Sequence, residues 1–371
     1  MVLCAVLLFY TYFGYPIAIG VLARLHPLRL SGPPDAPTAL PRITVCLPVY
    51  NGGRFLADKL DSLLAQDYPP DKLDVIVYCD GCSDDSEEIA RRYAQAARAG
   101  GRIQVVASSE RLGKPTALNK VRDLAGSELL LLNDVRQPLS PGSARALAAP
   151  FRHPEMGCTT GNLVLRGAAG SGVYWRYENW IRRQESRFRG VVGMSGAIAM
   201  VRRADLPALP ADLILDDVFI PMKLRRQGKR VLFVAEAEAY DAAFDDEQEF
   251  GRKVRTLAGN YQLFGIMPGL LLPFVNPSWF ETISHKVMRL CAPWLMALIA
   301  VASAALAVSA AGPAAVTGGL LLGLQVVFYG AALAGKRAGK FASIARTFVV
   351  LNAAAVLGLW RYVTRGQRVT W

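Results

Sequence analysis

The sequence is poor in cysteine, histidine and charge. Its 371 residues include six cysteines and three histidines, and two of the cysteines lie inside hydrophobic segments while the rest are scattered, which excludes the disulfide framework of a small secreted domain. Cys79 and Cys82 have C-x-x-C spacing, but no second pair exists and the histidines are distant in sequence, so neither a zinc site nor a redox site is predicted. Only 19% of residues are charged and 52% are hydrophobic, which predicts that part of the chain lies in a membrane.

The charge that is present is mostly positive, with a formal net charge of +12. Such an excess fits nucleic acid, an anionic membrane surface or an anionic substrate. The chain has no helix-turn-helix or RNA-binding signature, and many basic residues lie beside hydrophobic segments. We therefore expect membrane lipids and an anionic substrate as partners, and no nucleic acid.

The N-terminus predicts a membrane anchor over residues 1–24. The run Leu3–Ala23 has no charge and is long enough to cross a bilayer. Basic residues follow it rather than precede it, which favours an anchor with its C-terminal side in the cytoplasm over a signal peptide. Residues 25–41 contain several prolines and are predicted to be a linker.

The C-terminus predicts further membrane segments. Residues 262–289 are apolar, interrupted by prolines, and predict an amphipathic segment in the membrane interface. Residues 290–371 contain three spanning candidates, near 290–310, 314–333 and 344–362. The basic loop at 336–340 predicts that the soluble domain lies on the cytoplasmic face of the inner (plasma) membrane. The last candidate would send Arg361, Arg365 and Arg368 outward, so whether it fully spans is left open.

Residues 42–261 predict a soluble α/β domain. The runs ITVCLPVY, LDVIVYCD, IQVVASS and ELLLLND are short, apolar and followed by polar residues, with helical stretches between them. This alternation predicts a Rossmann-like, mostly parallel sheet with helices on both faces and ligands at the carboxyl ends of the strands.

Four polar clusters follow predicted strands or precede a helix. They are Pro48–Gly52, Asp80–Asp84, Asn133–Arg136 and Leu215–Asp217. Each alone is an ordinary turn or helix cap. In this order and spacing they resemble the family 2 inverting glycosyltransferases, which have the GT-A fold. Among these, the chain is most similar to the membrane-embedded synthases of cellulose, chitin, hyaluronan and poly-N-acetylglucosamine.

The resemblance implies roles for residues in these clusters and in three further motifs. Tyr50, Asn51 and Asp80 would hold the nucleoside of a nucleotide sugar. Lys114, in the segment GKPTALN, would contact the diphosphate, and Asp217 would be the general base with Asp216 beside it. Ser195 and Gly196 would lie near the acceptor. Arg252 and Arg255 match an arginine motif that contacts the diphosphate or the acceptor. Thr256 replaces the family tryptophan, which leaves processive synthesis open, and Tyr261 is the alternative aromatic further along the chain.

The strand end LLLLNDVR corresponds to the metal-binding D-x-D motif of the family. Asp134 matches the first aspartate, and Arg136 replaces the second. The resemblance therefore implies a Mg²⁺ or Mn²⁺ ion held mainly by Asp134 and the diphosphate. Arg136 would lie on the phosphates and replace part of the work of the cation.

The expected function is inverting transfer of a sugar to a growing polysaccharide, from a UDP-linked donor such as UDP-GlcNAc or UDP-glucose. One alternative is transfer of a single sugar to a membrane lipid acceptor. The other is a catalytically degenerate subunit of a polysaccharide export complex, and accessory export subunits are candidate partners in either polysaccharide case.

Overall fold

The computed structural model describes residues 1–30, 39–97, 102–166, 172–242, 246–309 and 311–367. The chain forms two compact units. The sheet unit consists of Leu22–Ala243 and Phe274–Ser278, and the helical unit consists of Met1–Val21, Phe244–Pro273 and Trp279–Gln367. Prolines 33, 34 and 37 of the predicted linker, and Arg368, lie outside the described residues.

The chain begins with two helices in line. Helix α1 (Val2–Phe9) and helix α2 (Tyr15–Leu25) are joined by a π-helical turn over Tyr10–Gly14. Together they form the first candidate membrane span, Val2–Leu25. Because the segment lacks interior charge, it can cross hydrocarbon with its backbone hydrogen bonds satisfied internally.

The sheet unit is built on seven strands. They are β1 (Ile43–Val49), β2 (Leu73–Asp80), β3 (Arg102–Ser108), β4 (Leu129–Asn133), β5 (Met156–Arg166), β6 (Ile198–Arg202) and β7 (Arg230–Ala242). The order across the sheet is β3-β2-β1-β4-β6-β5-β7. β6 runs antiparallel to β4 and β5, and the other pairs are parallel. The α/β fold class predicted from the sequence is confirmed.

Two central strands, β1 and β4, are buried along their whole length. Every residue of β1 and of β4 is buried, since helices cover both faces of a parallel sheet, and such strands are continuous apolar runs rather than alternating ones. β1, β2 and β4 are mutually parallel, so their carboxyl ends meet at one edge of the sheet. The polar clusters of the sequence follow these ends.

Six helices accompany the sheet. They are α3 (Gly53–Leu64), α4 (Ser86–Ala96), α5 (Lys114–Leu124), α6 (Ser143–Ala148), α7 (Gly172–Phe188) and α8 (Asp216–Arg226). Helices α3 and α4 begin just beyond a polar motif, and α5 and α8 begin within one. Their first turns, whose backbone N–H groups favour negative charge, therefore lie close to these motifs.

The helical unit contains the remaining helices. They are α9 (Asp246–Ile266), α10 (Trp279–Glu281), α11 (Met288–Ser309), α12 (Pro313–Ala334) and α13 (Lys340–Val363). A π-helical turn over Thr282–Val287 joins α10 to α11. Within the described residues, four helical segments are long and apolar enough to cross a membrane: Val2–Leu25, Trp279–Ser309, Pro313–Ala334 and Lys340–Val363.

Two segment boundaries differ from the sequence expectation. The α/β domain was expected to end at residue 261, but α9 runs through that position, and the helical unit begins at Phe244. The expected interfacial segment at 262–289 is instead divided between the end of α9, a 3₁₀ turn over Pro268–Leu271, and the helix that begins at Trp279. Pro268, Pro273 and Pro277 explain the division, because proline cannot donate the backbone hydrogen bond that a continuous helix needs.

We predict that Gly161→Ala destabilises the sheet unit. A Cβ atom at Gly161 would collide with the carbonyl oxygen of Ala237 and lie 2.9 Å from the Ile198 side chain, and such overpacking costs about 1–3 kcal/mol. The melting temperature of the purified protein in detergent should fall. The matched control is Gly126→Ala, where nothing lies within 4 Å of the added methyl group; equal melting temperatures for the two variants would contradict the prediction.

Candidate active site

The loop after β1 is fixed against the loop after β2. Asn51 has a positive φ of 46°, and its side-chain oxygen accepts the backbone N–H of Ser83 at 2.8 Å. The backbone N–H of Gly52 donates to Ser86 Oγ at 2.9 Å. The Arg111 guanidinium lies 3.6 Å from the ring centroid of Tyr50, within cation–π range. Tyr50 and Asn51 therefore lie at the carboxyl edge of the sheet, where the sequence predicts nucleoside binding.

Asp80 holds the loop that precedes α5. Its side chain is fully buried, and its two carboxylate oxygens accept the backbone N–H groups of Leu112 and Gly113, each at 2.8 Å. Gly113 has a φ of 88°, a conformation that favours glycine. In this structure Asp80 thus positions the residue before Lys114, and its role as a nucleoside ligand stays a prediction.

Lys114 lies among carboxylates from two other elements. Its ammonium is 2.8 Å from Asp134 Oδ1, just beyond β4, and 3.2 Å from Asp216 Oδ2, in the first turn of α8. Burial acts to lower the pKa of Lys114, but Asp134 and Asp216, with a contribution from Asp217, outweigh it and raise the pKa above its ordinary value. Lys114 is therefore a permanent cation at the carboxyl edge. We call Asp134, Asp216 and Asp217 the carboxylate cluster.

The start of α8 sets the exposure of the two adjacent aspartates. Asp216 is 8% exposed and paired with Lys114, whereas Asp217 is only partly buried. The carbonyl of Asp217 accepts the backbone N–H of Met194 at 2.7 Å. The first turn of a helix favours carboxylates because its N–H groups are partly positive. Asp217 is the more accessible of the pair, as a general base requires.

Gly196 lies directly beside the cluster. A Cβ atom there would be 3.5 Å from Asp134 Oδ2 and 3.7 Å from Lys114 Nζ. The neighbouring Ser195 is buried, and its backbone N–H donates to Thr160 Oγ1 at 2.7 Å. Gly196 therefore lies beside Lys114 and Asp134, and its lack of a side chain leaves room next to Asp134.

Two residues that sequence reasoning missed hold the loop after β4. The Lys59 ammonium is fully buried and donates to Asn133 Oδ1 at 2.7 Å and to the Gln137 carbonyl at 2.6 Å. Burial lowers its pKa to about 7. Asp241, near the end of β7, accepts from Arg136 and from Gln137, both at 2.7 Å. In the sequence, a lysine on the buried face of the amphipathic helix α3 could have indicated Lys59. No sequence pattern indicated Asp241.

Arg136 therefore has a structural partner. Its ion pair is with Asp241, whose side chain is 3% exposed, while 26% of the Arg136 side chain is exposed. The expectation that Arg136 lies on the donor phosphates stays a prediction, and it requires the guanidinium to contact phosphate while it keeps or exchanges this carboxylate.

The cluster fits a divalent ion only as a site with few protein ligands. Within the described residues, no group of three or more acidic, histidine or cysteine side chains is placed to hold a metal. Asp134 is 40% exposed and its second oxygen faces Gly196. Mg²⁺ and Mn²⁺ are commonly bound by one or two carboxylates together with substrate phosphates. The geometry suits an ion held by Asp134 and completed by a diphosphate.

Arg252 and Arg255 lie on α9, in the helical unit. Their spacing of three residues puts them on one face of the helix. Each makes interactions within the structure, and their predicted contact with the diphosphate or the acceptor stays a prediction.

Part of the chain is similar to a known protein family and to several curated proteins. Residues 44–209 match the family described as "Glycosyl transferase family 2". An N-acetylglucosaminyltransferase from Rhizobium meliloti (strain 1021) is 30% identical over 178 residues, which are 46% of this chain and 41% of the relative. A poly-beta-1,6-N-acetyl-D-glucosamine synthase from Staphylococcus epidermidis is 24% identical over 49% of this chain and 45% of the relative. The chain thus matches about half the length of these curated relatives.

A solved structure matches nearly the whole chain. It is a mannosyltransferase from Pyrobaculum calidifontis in complex with GDP-Man and Mn²⁺, with a TM-score of 0.76, 25% identity, and coverage of 98% of this chain and 99% of that one. Residues 44–209 therefore resemble a glycosyltransferase family 2 domain, and the resemblance seen in the sequence is confirmed.

We predict that Asp80→Asn destabilises the protein even without nucleotide. The amide replaces one acceptor oxygen by a donor that faces a backbone N–H, which should cost about 1–3 kcal/mol. Thermal unfolding of the nucleotide-free protein measures this. The control is Asp74→Asn on the same strand, which removes an exposed ion pair with Arg42 worth at most about 1 kcal/mol. If Asp80→Asn altered nucleotide affinity alone, Asp80 would be a ligand rather than a support for the loop.

Proposed function

We propose that this protein catalyses inverting transfer of a hexosyl group from a nucleotide diphosphate sugar, at the cytoplasmic face of the plasma membrane. The observation that carries the proposal is the Lys114 ammonium between Asp134 and Asp216, with Asp217 in the same turn of α8. A fixed cation and a partly exposed carboxylate at one cleft are the two groups that glycosyl transfer to a hydroxyl requires.

Asp217 is the proposed general base. An acceptor hydroxyl loses its proton to Asp217 while its oxygen attacks the anomeric carbon from the side opposite the leaving diphosphate. The new glycosidic bond forms as the bond to the diphosphate oxygen breaks, so the configuration at the anomeric carbon inverts. Proton transfer to a positioned carboxylate contributes roughly 100- to 10,000-fold to the rate.

Lys114 is the proposed partner of the departing diphosphate. Its raised pKa keeps it charged, and a fixed cation near the developing negative charge lowers the barrier more in a water-poor cleft than it would in water. A divalent ion held by Asp134, when bound, would add Lewis-acid stabilisation of the same oxygens. The Mn²⁺ in the similar mannosyltransferase structure supports this assignment.

UDP-GlcNAc is the leading donor, and a growing glycan is the leading acceptor. The support is the family of relatives named N-acetylglucosaminyltransferase and poly-beta-1,6-N-acetyl-D-glucosamine synthase. Four apolar helical segments support a membrane location for the acceptor or product. UDP-glucose is the other UDP-linked candidate.

A second candidate is transfer of one sugar to a membrane lipid acceptor. One observation favours it: Thr256 stands where the resemblance to the polysaccharide synthases implies a tryptophan. The solved mannosyltransferase, which aligns over almost the full length of both chains with GDP-Man bound, bears on the donor instead and adds GDP-mannose to the candidates.

A donor panel separates these functions. Purified protein in lipid nanodiscs is incubated with radiolabelled UDP-GlcNAc, UDP-glucose and GDP-mannose, and the products are sized and extracted into organic solvent. The leading proposal predicts a UDP-GlcNAc-dependent polymer; a lipid-extractable, singly labelled product would establish the second candidate. Asp217→Asn should lower kcat by roughly 100- to 10,000-fold and leave donor affinity within about twofold. The control is Asp123→Asn, at an exposed position of α5, which should retain full activity; an active Asp217→Asn would remove Asp217 as the base.

We predict partial metal dependence. Excess chelator should lower kcat/KM by about 100-fold and Mn²⁺ should restore it, while residual activity persists because Lys114 still faces the diphosphate. Asp134→Ala should lower Mn²⁺ affinity, measured by titration of the donor-bound protein. Full activity in excess chelator would contradict the metal assignment, and unchanged Mn²⁺ affinity in Asp134→Ala would contradict the ligand.

A further inference from the structure

A cavity lined by charged residues lies in the sheet unit, and none of the carboxylate cluster lines it. Its volume is about 440 Å³, and four arginines line it: Arg29, Arg189, Arg225 and Arg230. Among the described residues that line it, none is acidic. With four arginine residues and no acidic residue among these described residues, the lining of the cavity favours an anion.

Hydrogen bonds hold the walls of this cavity, which we call the arginine pocket. Arg225 is 3% exposed and donates to the Arg189 carbonyl at 2.5 Å and to Ser278 Oγ at 2.8 Å. The backbone N–H of Leu28 donates to the Arg187 carbonyl at 2.6 Å. The segment that carries Arg29 is therefore attached to the end of α7, and the pocket is a built feature rather than a chance grouping of surface side chains.

The pocket adjoins segments with membrane character. Pro27, which also lines it, follows the candidate span that ends at Leu25 by two residues. Pro277, another lining residue, lies three residues after Phe274, whose side chain is fully exposed. An exposed phenylalanine and the end of a span both belong at the level of lipid headgroups.

We propose that the arginine pocket binds the phosphate group of an anionic phospholipid headgroup. Guanidinium groups match phosphate oxygens with paired N–H donors, and a headgroup phosphate lies at the level where the first span ends. The pocket is separate from the catalytic cleft: Arg225 ends α8 and Asp217 begins it, about 12 Å apart by helix rise. Free phosphate shares this chemistry and is the other source to test.

Lipid titration of the purified full-length protein in detergent tests the proposal. Phosphatidylglycerol is added in mixed micelles with phosphatidylcholine as the neutral comparison, and the melting temperature is followed without any sugar donor. We expect saturable stabilisation by phosphatidylglycerol. Arg29→Gln/Arg230→Gln should weaken the apparent affinity about 25-fold, at about fivefold per arginine near an anionic surface. Arg226→Gln, next to Arg225 but exposed and outside the pocket, should retain wild-type affinity.

The outcomes are separable from those of the transferase reaction, because binding is measured without turnover. Equal stabilisation by the two lipids, or an unchanged double variant, overturns the proposal. Stabilisation by millimolar inorganic phosphate that exceeds the effect of phosphatidylglycerol overturns the lipid source and leaves a soluble phosphate ligand. Each single variant, Arg29→Gln and Arg230→Gln, is tested as well, so that a misfolded double variant cannot decide the result.

Discussion

The candidate site depends on one cation, the Lys114 ammonium, which pairs with carboxylates from two other segments of the chain. Lys114 is the first residue of α5, Asp134 follows β4 and Asp216 lies in the first turn of α8, and the ion pairs are 2.8 and 3.2 Å long. Without the ammonium, the largely buried Asp216 carboxylate would lie near the Asp134 carboxylate without a cation between them, which is costly. The diphosphate of a donor that contacts Lys114 would therefore compete with Asp134 and Asp216 for the ammonium. A divalent ion at Asp134 would supply further positive charge and reduce that competition.

The loop that carries Asp134 is held by hydrogen bonds from α3 and from β7. Lys59 fixes Asn133 and the Gln137 carbonyl from α3, and Asp241 fixes Arg136 and Gln137 from β7. Breaking one partner of such a buried network leaves an unsatisfied charge, which costs more than the network contributes. The arginine in place of a second aspartate thus has a structural account: it ties the loop after β4 to the edge strand β7.

The sequence predicted the parts of the site that motifs carry locally. Asp134, Lys114 and Asp217 each follow a strand or begin a helix, so their placement at the carboxyl edge follows from α/β topology. The strands β5, β6 and β7 were not predicted: β6 runs antiparallel to its neighbours, and the alternation of buried and partly buried residues along β7 is broken at residues 234–236. Asp241 lies on β7, and its pairing with Arg136 joins positions far apart in the chain, which no local pattern indicates.

Helix α8 connects the catalytic and lipid proposals within the sheet unit. Its first turn supplies Asp216 and Asp217, and Arg225 lies near its end. A lipid whose phosphate contacts Arg225 is about 12 Å of helix rise from Asp217, whereas a general base must be within hydrogen-bond reach of the hydroxyl it deprotonates. A lipid in the arginine pocket is therefore not the sugar acceptor. Its contribution would be to stabilise the end of the helix whose beginning carries the base, so lipid composition would act on stability and orientation rather than on the chemical step.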